Sequence, residues 1–502
     1  MRPSSIVLLT RGGAAEVFLV ERAQELSFFG GFVALPGGNV DPRDRGADVG
    51  GEDEDRALAI CAARELFEET GVLLPGLGPE LSSSARAELR AALLDETPAA
   101  ERFWELVAAA PDALDALRSF GLLITPPFAP VRYRTRLYHL ELPENEAPHV
   151  VPGELVSGGF AAPERALARW HAGEIRVVPP VVFLLQQLSA RPLGQALAHA
   201  QEICDDVERG ALHPVRCAPG ILMAPVRTPT IPPATTTNTY LVGERRLWIV
   251  DPATPYADEQ ARLFALLDRL IAEGRELAGI LVTHHHHDHV GAVAATARRY
   301  GLAVRAHART LERLIDDRTG DDRTGDFERG APIEDGESIE LGRAPDGKDG
   351  WRLVAHHTPG HDQGHLVFVE DRYRAMIAGD LVSTLSTIVI DPPEGHMATY
   401  LASLRRALEL DVATILPAHG PGATRPRRLL TKLLEHRQAR EDKLFGALGT
   451  EPTPERELLP RVYDDAAPEL MPVAARSLLA GLQKLAEDGR ARELEGGWAA
   501  LG

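Results

Sequence analysis

The chain has 502 residues with a formal net charge of −19, too long for one hydrophobic core and divisible into two to four domains. That charge excludes broad electrostatic affinity for nucleic acid while leaving room for a local basic groove. Three cysteines, Cys61, Cys204 and Cys217, fit neither a disulfide framework nor a zinc knuckle, which points to a reducing cytoplasm. No apolar run approaches the roughly 18 residues needed to cross a bilayer. The opening stretch, MRPSSIVLLTRGGAAEVFLV, alternates like a pair of strands and lacks a small-residue cleavage site, so it reads as fold rather than leader.

Three units follow in chain order: residues 1–218, with an Ala/Glu/Leu-rich helical insertion near 76–120; residues 219–425, alternating buried strands with helices; and residues 426–502, largely helical. In the first, Pro36-Gly37-Gly38 precedes Arg64-Glu65-Leu66-Phe67-Glu68-Glu69-Thr70-Gly71-Val72. Glu65, Glu68 and Glu69 stand at helical spacings of three and four and so share one face, while Ile60, Ala63 and Phe67 turn toward a core. Carboxylates so arranged hold Mg²⁺ or Mn²⁺ through hard oxygen ligands, and such an ion grips a diphosphate. The string resembles the core of a Nudix box. The resemblance implies an α/β/α fold, metal ligation by Glu65, Glu68 and Glu69, catalytic roles for Glu65 and Glu69, and substrate contacts from Gly38 and Arg64. Arg64 is also expected to fix a carboxylate through a bidentate pair. The glutamate usual eight residues before Arg64 is replaced by Arg56. With the insertion, the RYRTRLY run at 132–138 and Val178-Pro179-Pro180, the region resembles coenzyme A diphosphatase-type Nudix proteins. Glu154 is either a further carboxylate of the site or a plain loop acid.

A Pro/Thr-rich passage at 227–240 leads into the second unit, where strands are expected at Leu247–Val250, Ile280–Val282, Leu353–Ala355, Ala375–Ala378 and Thr414–Leu416. DDRTGDDRTGD at 316–326, a charged duplication between them, reads as a solvated loop. Strand ends carry the chemistry: Thr283-His284-His285-His286-His287-Asp288-His289, Thr358-Pro359-Gly360-His361, Gly379-Asp380 and Pro417-Ala418-His419-Gly420. Open α/β sheets gather ligands at the carboxyl ends of their strands, and zinc favours imidazole nitrogen and carboxylate oxygen. In order and spacing these four motifs resemble the metallo-β-lactamase superfamily. The resemblance implies an αββα sandwich with two Zn²⁺: His284, His286 and His361 on one, Asp288, His289 and His419 on the other, and Asp380 bridging. Asp288 would also orient the nucleophile. Two such ions lower the pKa of a shared water from about 16 toward neutrality. His285 and His287 fall at variable positions, as neighbours of the ligands or exposed residues. Asp251 is expected to support the metal loop, and Thr237-Asn238-Thr239-Tyr240 is either ordinary hairpin or substrate contact.

The last unit, with helices at 427–447, 453–462 and 470–489 and a strand-like EGGWAAL end, resembles the small winged-helix-type domain of the lactamase-beta-like group, which includes endoribonucleases. It either binds RNA or packs over the active-site rim, and its balanced charge favours packing. Three functions compete. The chain is a bifunctional hydrolase of acyl-coenzyme A or a related nucleotide, or a single-strand endoribonuclease with a nucleotide-trimming Nudix half, or a zinc enzyme regulated by a non-catalytic Nudix sensor. The acidic net charge disfavours the second, and the intact glutamate face disfavours the third.

Overall fold

A computed structural model describes residues 1–26, 29–45, 54–144, 146–314 and 327–501; the charged duplication at 316–326 lies outside them. The chain divides into two compact units, Met1–Pro219 and Gly220–Gly502.

In the first unit the alternation of the opening residues decides the layers. Strand Arg2–Arg11 sends Val7 and Leu9 to one face and Leu8 to the other, as a period of two requires. Val7 and Leu9 pack with helix Glu54–Thr70 and the insertion helices Ser83–Leu94 and Glu101–Ala109, while Leu8 joins helices Pro179–Ala190 and Leu193–Glu208. The sheet between them has Tyr133–Glu141 parallel to Arg2–Arg11, and Glu16–Arg22 antiparallel on the other side. This is an α/β/α layering. The helical insertion ends before Arg118, because Arg118–Ile124 is a strand paired antiparallel with Tyr133–Glu141.

In the second unit, one sheet runs in the order Val304–Arg305, Glu276–Leu281, Arg246–Val250, Thr236–Val242 and Ile221–Arg227. The other runs Ser338–Gly342, Trp351–His357, Leu366–Glu370, Ala375–Ile377 and Thr414–Leu416. All seven residues of Thr236–Val242 are buried, the mark of a strand covered on both faces. With helices Ala257–Ala272, Val293–Tyr300 and Met397–Glu409, the two sheets make the αββα sandwich. The tail contributes helices Pro426–Ala447, Glu455–Val462 and Met471–Glu487 and a hairpin, Ala491–Leu494 with Gly497–Ala500. Leu444, Leu458, Leu482 and Trp498 close its own small core.

Cys61, Cys204 and Cys217 are all free thiols. Among the described residues no helix is long and apolar enough to cross a membrane.

One glycine carries the approach of a ligand turn to its neighbouring helix. At Gly360 φ is +127°, and a Cβ there would lie 2.2 Å from the backbone nitrogen of Tyr400. Gly360→Ala is therefore expected to destabilise the second unit by about 1–3 kcal/mol or more, read as a lower midpoint of its transition in urea. An unchanged midpoint would show that helix Met397–Glu409 does not hold this turn.

Candidate metal centres

Strand Glu276–Leu281 delivers the chain to Thr283 with Ile280, Leu281 and Val282 fully buried, so the following loop starts from a rigid base. Asp251, in the left-handed region at φ 49°, ties that loop at both ends. Its Oδ1 accepts from the Thr283 amide at 2.8 Å, and its Oδ2 accepts from Thr283 Oγ1 at 2.6 Å and His289 Nδ1 at 2.8 Å. Asn238 Nδ2 donates to the carbonyls of Pro417 and Gly420, both at 2.9 Å, and Tyr240 Oη donates to Pro417 at 2.7 Å. The hairpin residues thus hold the turn that carries His419. His365, fully buried, bonds Thr358 Oγ1 through Nδ1 at 2.9 Å and accepts the Asp380 amide on Nε2 at 3.0 Å.

The hydrogen bonds also fix the imidazole tautomers. His361 Nδ1 meets the Val389 carbonyl at 2.8 Å and His419 Nδ1 meets that of Thr236 at 3.1 Å. A carbonyl only accepts, so each Nδ1 carries a proton, and the neutral ring keeps its lone pair on Nε2. His289 does the same against Asp251, and His284 against Thr283 Oγ1 at 3.0 Å, whose own hydrogen goes to Asp251.

The structure brings together His284, His286 and His361, and separately Asp288, His289 and His419, with each group's ligand atoms within 4.8 Å of one another; His284, His289 and Asp380 form a third set between them. Asp380 faces both sides. Its Oδ2 lies 3.5 Å from His361 Nε2, and its Oδ1 lies 3.5 Å from His289 Nε2 and 3.3 Å from His419 Nε2. Asp288 Oδ2 is 3.4 Å from His419 Nε2. A tetrahedral ion with bonds of about 2.1 Å spaces its donors by about 3.4 Å, which these separations match. Among the described residues His289 Nε2, His361 Nε2 and Asp380 Oδ1 are buried with no hydrogen-bond partner, a state that costs free energy unless something else fills their valence. The residues fit a pair of divalent ions.

Titration without such ions is correspondingly distorted. Burial and the neighbouring imidazoles hold His284 well below its ordinary range, and burial with His286 takes His361 down to about 4. Burial pushes Asp380 toward protonation, but His419 and His289 outweigh it and hold the carboxyl well below the usual range. Burial opposes charge on His419 as well, yet Asp380 and Asp288 raise it to about 10.

His287 is exposed. His285 Nδ1 lies 2.6 Å from Asp362 Oδ2, and its Nε2 lies 3.5 Å from Glu394 Oε1. Asp362, His365 and Glu394 are polar residues of the centre that the motif reading does not single out. His365 had a faint signal, a second histidine four residues after His361. Glu394 had none, arriving from a distant loop.

In the first unit, helix Glu54–Thr70 stops at Gly71, whose φ of 75° and amide bond to Phe67 at 2.8 Å end the helix. Ile60, Ala63, Leu66 and Phe67 are buried, leaving Glu65, Glu68 and Glu69 at the edge. Arg64 makes the expected bidentate pair, and its partner is Asp44: Nε to Oδ1 at 3.1 Å and Nη2 to Oδ2 at 2.9 Å. Nη2 also reaches the Asn39 carbonyl at 2.9 Å, and Nη1 reaches Glu65 at 2.9 Å and Glu68 at 3.1 Å. Every guanidinium nitrogen thus has a protein acceptor, and Arg64 orders the carboxylates around it. Arg56, where the usual glutamate is missing, is exposed; Asp44 supplies the buried carboxylate, held also by Trp104 Nε1 of the insertion at 3.0 Å. Gly38 clears space for a carboxylate, since a Cβ there would sit 2.4 Å from Glu65 Oε1, and Gly37 donates its amide to Glu69 at 2.9 Å. Glu154 pairs with Arg22 at 2.8 Å, and its charge also acts on Glu69. Among the described residues the three glutamates do not close into a ligand set like those of the second unit.

Residues 232–419 match the metallo-beta-lactamase superfamily, residues 455–498 the beta-lactamase associated winged helix domain, and residues 1–110 the NUDIX domain. The chain joins a Nudix domain to a metallo-β-lactamase domain with its winged-helix tail. Both principal domains are of hydrolase families. Beta-lactamase-like protein 2 homolog of Caenorhabditis elegans is 26% identical over 255 residues, 50% of this chain and 79% of the relative. Atrochrysone carboxyl ACP thioesterase dmxR1 of Cryptosporiopsis is 26% identical over 273 residues, 51% of this chain and 76% of the relative. A beta-lactamase domain protein from Burkholderia ambifaria shares the fold at 21% identity and a TM-score of 0.50, covering 58% of this chain and 94% of its own.

The Nudix carboxylates give a pH test. Burial, opposed by Arg64, raises Glu65 to about 7, and burial with Glu65 raises Glu69 well above the usual carboxylate range. A carboxyl raised on folding contributes stability that is present at low pH and lost as pH rises through its folded value. The metal-free Nudix domain should therefore melt lower at pH 8 than at pH 5.5, and Mg²⁺ should restore the difference at pH 8. Calorimetry showing no pH dependence and no Mg²⁺ effect would contradict this.

Proposed function

We propose that the metallo-β-lactamase domain is a dinuclear zinc hydrolase acting on a coenzyme A thioester, and that the Nudix domain splits the diphosphate of the released coenzyme A with Mg²⁺ or Mn²⁺. The observation that carries the first part is Asp380, whose two oxygens face two separate donor groups at distances matching shared ions. His284, His286 and His361 would hold one ion and Asp288, His289 and His419 the other, with Asp380 bridging. A set of five imidazoles and two carboxylates favours zinc. The all-oxygen set of Glu65, Glu68 and Glu69 favours a harder ion. Three free thiols and the absence of a membrane-crossing helix among the described residues are consistent with a cytoplasmic setting.

When bound, the zinc pair supplies Lewis acidity toward the thioester carbonyl and a water acidified toward neutrality. The chain supplies orientation. Asp251 holds His289 and the start of the ligand loop, and His365 holds the Asp380 amide. Asp288, at the edge of the second group, would accept the proton of the attacking water on a carboxylate oxygen. Water adds to the thioester carbonyl and the C–S bond breaks, giving free acid and coenzyme A. A second water splits the diphosphate into 3′,5′-ADP and phosphopantetheine. In the Nudix domain Glu69, with Glu65, would be the base. The thioester choice is supported by the thioesterase named among the relatives, and joining the domains would raise the local concentration of the intermediate at the second site.

Incubation of the full chain with an acyl-coenzyme A should yield free acid, 3′,5′-ADP and phosphopantetheine. Asp380→Ala should leave the acyl group on whatever product remains, while Glu69→Gln should abolish diphosphate cleavage and leave thioester turnover intact. Cleavage of single-stranded RNA with no thioester turnover in zinc-replete protein would replace this reading with the endoribonuclease.

A further inference from the structure

The loop at 388–396 touches the first donor group at two places. The Val389 carbonyl takes the Nδ1 proton of His361 at 2.8 Å, fixing the tautomer that leaves Nε2 free. Glu394 lies 3.5 Å from His285 Nε2 and 3.9 Å from His286 Nε2, within range of charge attraction though beyond hydrogen bonding to His286.

From its other side the same loop is gripped by two helices of the winged-helix tail. Arg437, on Pro426–Ala447, donates to the Ile388 carbonyl and sits 5.3 Å from the centre of the Tyr400 ring. On Met471–Glu487, Ser477 Oγ accepts the Ile390 amide at 3.4 Å, Arg476 bonds Asp391 and the Pro392 carbonyl, and Glu487 meets His396 at 2.8 Å. Apolar packing runs along with these bonds, since Leu430 and Ala480 of the tail share one buried cluster with Ile388, Ile390, Met397 and Tyr400. Tail and metal centre therefore meet through residues 388–392 and those beside them.

Some of the tail's cations are paired within the tail, while Arg427, Arg428, Lys432, Arg456 and Arg492 are exposed. Arg440 pairs with Asp465 at 2.8 Å, Lys484 with Glu441 at 2.8 Å and Asp488 at 2.6 Å, and Arg490 with Glu441 at 2.7 Å.

We infer that the winged-helix tail is a positioning element of the metal centre, clamping the 388–396 loop so that His361 and His286 present their nitrogens to the ion they share with His284. The inference rests on the dinuclear reading above. Partners that orient metal ligands are worth about 10–100-fold in metal affinity, and a clamp acting one step further out belongs at the lower end of that range.

The test uses the full chain and zinc alone. Arg476 and Ser477 lie on the tail, outside the donor groups, so the double variant Arg476→Ala/Ser477→Ala perturbs the clamp and leaves every donor in place. Zinc titration against a competing chelator should show one of the two ions weakened by about 10-fold, with the other unchanged and the melting temperature of the zinc-free protein close to wild type. Glu394→Gln, approaching from within the loop, should weaken the same ion. Both ions retained at wild-type affinity in these variants would overturn the inference and leave the dinuclear reading standing. Equal weakening of both ions together with a lower melting temperature would also overturn it, marking the tail as a general support of the fold. A wild-type chain that binds no zinc would remove the dinuclear reading, and this inference with it.

Discussion

A carboxylate buried among imidazole nitrogens, with one oxygen lacking any hydrogen bond, needs positive charge close by, and Asp380 is held in that state by the whole second unit. Its backbone amide is fixed by His365, and its two oxygens face His361 on one side and His289 and His419 on the other. The surrounding imidazoles do not relieve it by rotating, because four of them have committed Nδ1–H to Asp251, Thr283, Val389 or Thr236. Against burial, Asp380 draws His419 and His289 above their ordinary range. Metal ions at the proposed positions would supply the positive charge and release protons from these rings.

The two halves solve the same problem with different donors. Nitrogen-rich loops at the ends of buried strands suit a soft-to-borderline ion, and the glutamate edge of one helix suits a hard one. In the Nudix domain the organiser is Arg64, whose guanidinium joins Asp44, Glu65 and Glu68. The pair with Asp44 is buried, and removal of either partner there would strand a charge away from water.

Much of this was legible in the sequence because each ligand turn is contiguous and follows a short apolar run, so motif and strand end coincide at Thr283–His289, Thr358–His361 and Pro417–Gly420. The glutamate face of the Nudix helix was readable from local periodicity, while the αββα layering and the winged-helix tail followed from the resemblance those motifs carry. What escaped depends on chain segments meeting across long separations. Asp44 supplies the carboxylate missing at Arg56 only because the short 3-10 turn Pro42–Arg45 packs against the helix and Trp104 of the insertion bonds it. Glu394 and Val389 reach the donor groups from a loop with no motif.

The central claim is that two ions share Asp380. Metal analysis of the purified chain, coupled to anomalous scattering at the zinc edge, measures this directly. The account predicts close to two zinc ions per chain, lost together under strong chelation, with density for both flanking Asp380. A fully active protein holding one ion or none, or two ions with Asp380 contacting neither, would contradict it.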